Sequence, residues 1–199
     1  MATLNATNLK HASSSSNNIV LASDGSVTLS GNATCSGTAT GFGGGKVLQI
    51  QQTVKTDTTS ESVSSGVPTS TVFLPVNITP ASASNKILIM VTASVSDHGN
   101  VAMILQKNGS NLDGATGDAA GSRERTTAST YMAADSHLST IHATYLDTAG
   151  STSQITYGFK LFVQDNHTST IYLNRMVSSY DYAYGYRNSS MIQVMEIAA

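Results

Sequence analysis

Four tyrosines fall at alternate positions late in the chain, Tyr180, Tyr182, Tyr184 and Tyr186, and Arg187 follows them. In an extended backbone successive side chains point to opposite faces. That spacing would set all four rings on one face and Asp181 on the other. A ladder of rings can stack on sugar faces, and tyrosine adds contact area at small entropic cost. The same ladder can instead pack across strands or between subunits. Both readings, a ligand platform and a subunit-interface stack, follow from the spacing.

Other residues offer less. Asp113, Asp118, Arg123, Glu124 and Arg125 share a Gly-rich polar stretch without the closely spaced oxygen ligands that calcium needs. A weak conformational salt bridge, such as Asp118 with Arg123, is the expectation there. His11, His98, His137, His142 and His167 lack metal-ligand spacing, so no metal site is expected. Asp97-His98 resembles a dyad in sequence, but Gly99-Asn100 makes the stretch a turn. No serine sits in a Gly-x-Ser-x-Gly elbow, and the carboxylates do not frame a glycosidase groove. Cys35 is the lone cysteine, in a polar stretch without a catalytic signature, which excludes an internal disulfide. The expectation is a non-enzyme without a cofactor.

Charged residues make up only 11% of the 199 positions, against about 25% in ordinary globular proteins. The net charge is −2 and no Lys/Arg run occurs, which argues against nucleic-acid binding and a polybasic membrane contact. No apolar run is long enough for a membrane span. The first residues, Met1-Ala2-Thr3-Leu4-Asn5-Ala6, lack a basic region and an apolar core, so no Sec signal is expected.

The elements that must position these residues read as strands. Segments 47–54, 71–78, 86–95, 101–107, 137–146, 154–163, 170–176 and 190–197 are rich in β-branched and aliphatic residues, with turn residues between them. Pro75 suggests an edge strand or a bulge, and Asn108-Gly109 is a strong turn signal. Helix signals are absent, so the expected fold is all-β, a jelly-roll-like β-sandwich over 46–199. Residues 1–45 form an extended N-terminal arm. There Ile19-Val20-Leu21 and Val27-Thr28-Leu29 read as two short strand-like pieces flanking a Ser23-Asp24-Gly25-Ser26 turn, and Gly41 to Gly45 supply a hinge. Those apolar residues would be wasted in a solvated tail, which suggests an anchor that orders against a partner or by winding with copies of itself.

Several segments carry a resemblance: 46–57 (KVLQIQQTVKTD), 79–88 (TPASASNKIL), 117–123 (GDAAGSR) and 194–199 (VMEIAA), together with 17–25 in the arm. With these, the chain resembles the fibre-like structural proteins of marine and freshwater phages, cyanophages included. The resemblance implies a homotrimeric β-protein of the virion, made in the host cytoplasm and without catalytic residues. Its partners would be copies of itself, a tail adaptor or capsid protein bound through Ile19, Val20, Leu21 and Leu29, and a host surface glycan. The implied role is tail-fibre attachment to the host, with capsid decoration or head-fibre (cement) service as the alternative.

Overall fold

Ile87, Ile89, Val91, Ala93 and Val95 alternate with Lys86, Leu88, Met90 and Thr92, and an extended chain turns the first set to one side. In the computed structural model, which describes residues 6–30, 46–164, 168–178 and 180–199, that first set is buried in the main core. Each isoleucine and valine of that set contributes roughly 1.5–3 kcal/mol by leaving water.

Two units divide the chain, Met1–Phe42 and Gly43–Ala199. The first holds a three-stranded antiparallel sheet of β1 (Asn8–Leu9), β2 (Ile19–Leu21) and β3 (Val27–Leu29), with β2 central. The β2–β3 turn is fixed by Gly25 at φ +85° and by the Asp24 carboxylate, which accepts the Ser26 N–H at 2.9 Å. Leu9, Leu21, Val27 and Leu29 stay exposed, and Ile19 and Val20 are half-buried. Cys35 and the Gly41–Gly45 hinge fall outside the described residues, as does His167.

The second unit contains β4 (Val47–Lys55), β5 (Thr59–Val63), β6 (Phe73–Ile78), β7 (Lys86–Ser96), β8 (Asn100–Lys107), β9 (Ser110–Asn111), β10 (Ala128–Tyr131), β11 (Ser139–Thr148), β12 (Ile155–Val163), β13 (Ser169–Leu173) and β14 (Ser190–Ile197). One 3₁₀ turn, Asp113–Ala115, is the only helical element among the described residues. One antiparallel sheet runs β10-β8-β12-β6, with β9 also on β8. The other runs β4-β14-β7-β13-β5, with β11 on the far side of β7. Both sheets contribute to the main core, in which Phe73 and Phe159 stack with ring centres 5.9 Å apart, and Ala102, Ile104 and Phe162 form a smaller separate buried cluster. The unit is therefore all-β and antiparallel, compatible with a β-sandwich.

Pro75 lies on edge strand β6, beside a register shift opposite Tyr157 and Phe159, where Leu74 takes φ +48°. Asn108 and Gly109 both have positive φ in the tight β8–β9 turn. Strands β5 and β10 occur where no strand is expected from sequence. Their Ser/Thr-rich segments are recruited by pairing with β13 and β8. The expected 170–176 strand instead stops at Leu173.

Two polar clusters sit within this apolar frame. Lys107 Nζ reaches Asp147 Oδ2 at 2.7 Å and the carbonyls of Thr148 and Ala149. The Tyr157 hydroxyl donates to the same carboxylate oxygen, and burial together with that carboxylate pushes its pKa far up. These contacts tie β8 and β12 to β11 in the other sheet.

Glu196 is fully buried and receives Ala81 N–H at 2.7 Å, Asn85 Nδ2 at 2.5 Å and Gln49 Nε2 at 2.6 Å. Burial pushes its carboxyl pKa up, but those donors outweigh burial and hold it below the ordinary value. Glu196→Gln would turn an amide N–H₂ toward one of these donors. We expect it to cost about 2 kcal/mol, measured by urea denaturation at neutral pH. With the folded pKa depressed, the wild type holds this contribution in full above the unfolded value of about 4.3. It loses it as pH falls through the folded value. The difference in stability between wild type and variant should shrink in that acid window.

Candidate functional site

The site begins with an interrupted strand. Leu173 pairs with Val95 of β7 and Met191 pairs with Thr92, so β13 and β14 lie in line along the same side of β7. Their other neighbours, β5 and β4, are in line as well, with Leu173 opposite Thr59 and Ser190 opposite Lys55. Residues 174–189 therefore leave one strand path and return to it almost where they left.

Asn174 closes the neck of this excursion. It is buried, takes φ +65°, and donates its N–H to the Ser94 carbonyl at 2.8 Å. Asparagine tolerates this left-handed conformation better than most residues. Its Nδ2 donates to the carbonyls of Lys55 and Asp57 at 2.8 and 2.9 Å, filling the break between β4 and β5. Its Oδ1 accepts the Ser190 hydroxyl at 2.6 Å, and Ser190 Oγ in turn accepts the Ser94 N–H at 2.9 Å. Asn188 donates to Ser94 Oγ, and Arg175 and Arg187 form a bridge just outside. The Arg175 guanidinium lies over the Tyr172 ring, 4.0 Å from its centre.

Beyond the neck stand the tyrosines, each more than half exposed. The backbone there is not extended, which corrects the expected geometry. The Gly185 N–H returns to the Tyr182 carbonyl at 2.8 Å, making a turn. Tyr180 and Tyr182 are 5.6 Å apart and tilted, Tyr182 and Tyr184 are 5.1 Å apart and stacked, and Tyr186 lies past the turn. The ladder thus has three successive rings rather than four on one strand face. A side chain at Gly185 would put Cβ 2.8 Å from the Tyr180 carbonyl oxygen, so glycine is required for the close approach.

Tyr180, Tyr182 and Tyr184 border an open hollow of about 390 Å³, with the 133–136 turn, His98 and Met176 among its other lining residues. The turn is tied to the excursion by Ser178 N–H on the Asp135 carbonyl at 3.1 Å. His98 Nδ1 lies 2.8 Å from Asp135 Oδ1. This pair was not legible beforehand, because its members are 37 positions apart. A second hollow, lined by Tyr184, Tyr186, His137 and Leu138, adjoins through Met176. Arg187 lies with Tyr180 and Tyr186 around a small recess. Apolar walls with a few converging polar groups suit a ligand that offers both an apolar face and hydroxyls.

The remaining candidates separate. Asp97 is buried, with Oδ1 accepting from the Ser169 hydroxyl, while neighbouring His98 points to the surface, so they form no dyad. The expected Asp118–Arg123 bridge does not form. Arg123 donates to the Ala120 carbonyl and Arg125 to the carbonyls of Gly117 and Asp113. Ile19, Val20, Leu21 and Leu29 belong to the first unit's sheet, in which Leu29 pairs with Ile19.

No family model matches the chain, and no curated protein matches it.

Asn174→Ala would leave the Lys55 and Asp57 carbonyls and the Ser190 hydroxyl without their partner. We expect it to cost about 3 kcal/mol in chemical denaturation. Gly185→Ala should change global stability by less than about 1 kcal/mol while rearranging the ladder. With no tryptophan in the chain, near-ultraviolet circular dichroism reads that change from the tyrosines.

Proposed function

We propose that this chain is a structural component of a bacteriophage virion, a tail-fibre-type protein whose larger unit contacts the host surface. The observation that carries this reading is the excursion 174–189. It holds three successive solvent-exposed tyrosine rings, one pair tilted and one stacked, beside an open hollow and fastens them at a buried polar neck. Exposed rings in register over a concave apolar surface are suited to the flat faces of pyranose sugars, so the ligand class is a neutral host-surface glycan. His98, Asp135 and Ser178 supply polar groups for its hydroxyls.

The finer fold reading is a jelly roll. With β4/β5, β13/β14 and β9/β10 each counted as one strand position, the sheets run β4/5–β13/14–β7–β11 and β6–β12–β8–β9/10. That order supports a double-sheet plan in which the chain repeatedly crosses from sheet to sheet. The proposed assembly is a homotrimer, held to the particle by the first unit.

Capsid decoration is the second reading. It is favoured by the small sheet of the first unit, which leaves Leu9, Leu21, Val27 and Leu29 exposed, as a clamp on capsid proteins would require.

A phage carrying Tyr182→Ala and Tyr184→Ala in this chain separates the two. Attachment predicts intact particles whose reversible binding to host cells is about tenfold weaker, equivalent to about 1.4 kcal/mol of lost binding. Unchanged adsorption by the variant, with fragile heads when the whole protein is deleted, would give the role to decoration. On purified protein, host envelope polysaccharide should change the tyrosine fluorescence of the wild type and leave the double variant's unchanged.

A further inference from the structure

The outer face of the β4-β14-β7-β11 sheet presents an apolar row. Ile50 pairs with Met195, Met195 with Leu88, and Leu88 with Leu146, so one side chain from each strand stands in line across the sheet. Ile50 and Leu146 are each 51% exposed, whereas Ile87 and Ile89, which flank Leu88 on the opposite face of β7, are fully buried. Val54 and Met191, another cross-strand pair, extend the exposed apolar surface along the sheet.

We infer that this face is where copies of the chain pack against one another. The inference rests on the trimeric reading above and names its contact surface.

Three properties select a second copy as the occupant. Four strands about 4.8 Å apart, with four outward positions about 6.8 Å apart on each, give a flat footprint on the order of 500 Å². That is most of the roughly 800 Å² each partner contributes to a stable interface, before side-chain relief is added. Charge is the second property. Among the outward positions of these four strands the only Lys, Arg, Asp or Glu is Lys86, at the end of β7 and hydrogen-bonded to Thr148. Around a three-fold axis the same residues of all three copies converge, so like charges there meet at a cost, whereas a surface that meets a different protein carries no such restriction. The third is the adjoining row, where Gln52 and Gln193 are cross-strand partners. Each amide is both donor and acceptor, so it can pair with the same amide of another copy.

The test is light scattering on the full-length protein at micromolar concentration, comparing wild type, Ile50→Glu, Leu146→Glu and the control Val67→Glu. All three positions are exposed, so the fold should tolerate the substitutions, and circular dichroism checks that it does. The expected result is an assembled wild type and control, with both face variants falling to the mass of a single chain. If both face variants stay assembled, copies meet elsewhere and this face is overturned while the trimer stands. A monomeric wild type overturns the trimer and this face together, and returns the surface to another virion protein or to the chain's own first unit. Polysaccharide-dependent tyrosine fluorescence, followed on the same samples, reads the attachment site independently of either outcome.

Discussion

The chain leaves a central strand path at Leu173 and rejoins it at Ser190, and the sheet survives only because the two cut ends are held in register. Backbone groups around such a cut are buried and must find partners. Asn174 meets most of that demand, satisfying the carbonyls of Lys55 and Asp57, capturing the Ser190 hydroxyl and bonding to β7 through its own N–H. Because the neck is closed in this way, β14 can continue to Glu196, whose buried carboxylate ties the end of the strand to Ala81 and Asn85 ahead of β7. The excursion can therefore differ in length and side chains without disturbing the core, which is the usual relation between a rigid scaffold and the loops it displays.

What could be read from sequence follows from where the interactions lie along the chain. Strands such as β7, β12 and β14 carry their burial in local patterns, so their positions were legible. So were the Asp24-Gly25 and Asn108-Gly109 turns, whose conformations need only their own residues. Strands β5 and β10 were not, because segments such as TSESV and ASTY become strands through distant partners. The tyrosine spacing was visible, but its geometry depends on a turn for which Gly185 must approach the Tyr180 carbonyl. Asn174 carried no signal beyond its type, since its partners Lys55, Asp57 and Ser94 lie far away in sequence. Asp135 gave no hint of His98 for the same reason.

The low charge of the chain has two structural consequences. Few long charged side chains cover the β surface, so solubility rests on Ser, Thr, Asn and Gln, and apolar residues remain at outward positions such as Ile50, Val54 and Leu146. The few ion pairs work at particular joints. Lys107–Asp147 links the two sheets, and Lys55–Asp57 sits at the break between β4 and β5 that the Asn174 amide fills. The hollow beside the excursion is aromatic, so binding there would depend on shape and stacking more than on charge.

Recognition of that kind would be weak for one copy. A shallow aromatic hollow in a chain of low net charge gains little from electrostatic steering, and its rings are already hydrated when a ligand arrives. Repetition overcomes this, because linked sites make later binding events intramolecular and can raise the combined affinity by about 10²–10⁴ without new contacts. The β13–β14 path joins the two requirements physically. It carries the tyrosine excursion on one side of the neck, and just beyond the neck it supplies Met191 and Met195 to the outer apolar face. Packing copies through that face would stiffen the strand that anchors the excursion while multiplying the number of platforms. Association and attachment would then draw on the same strand, and weak single-copy binding would become a reason for the chain to assemble.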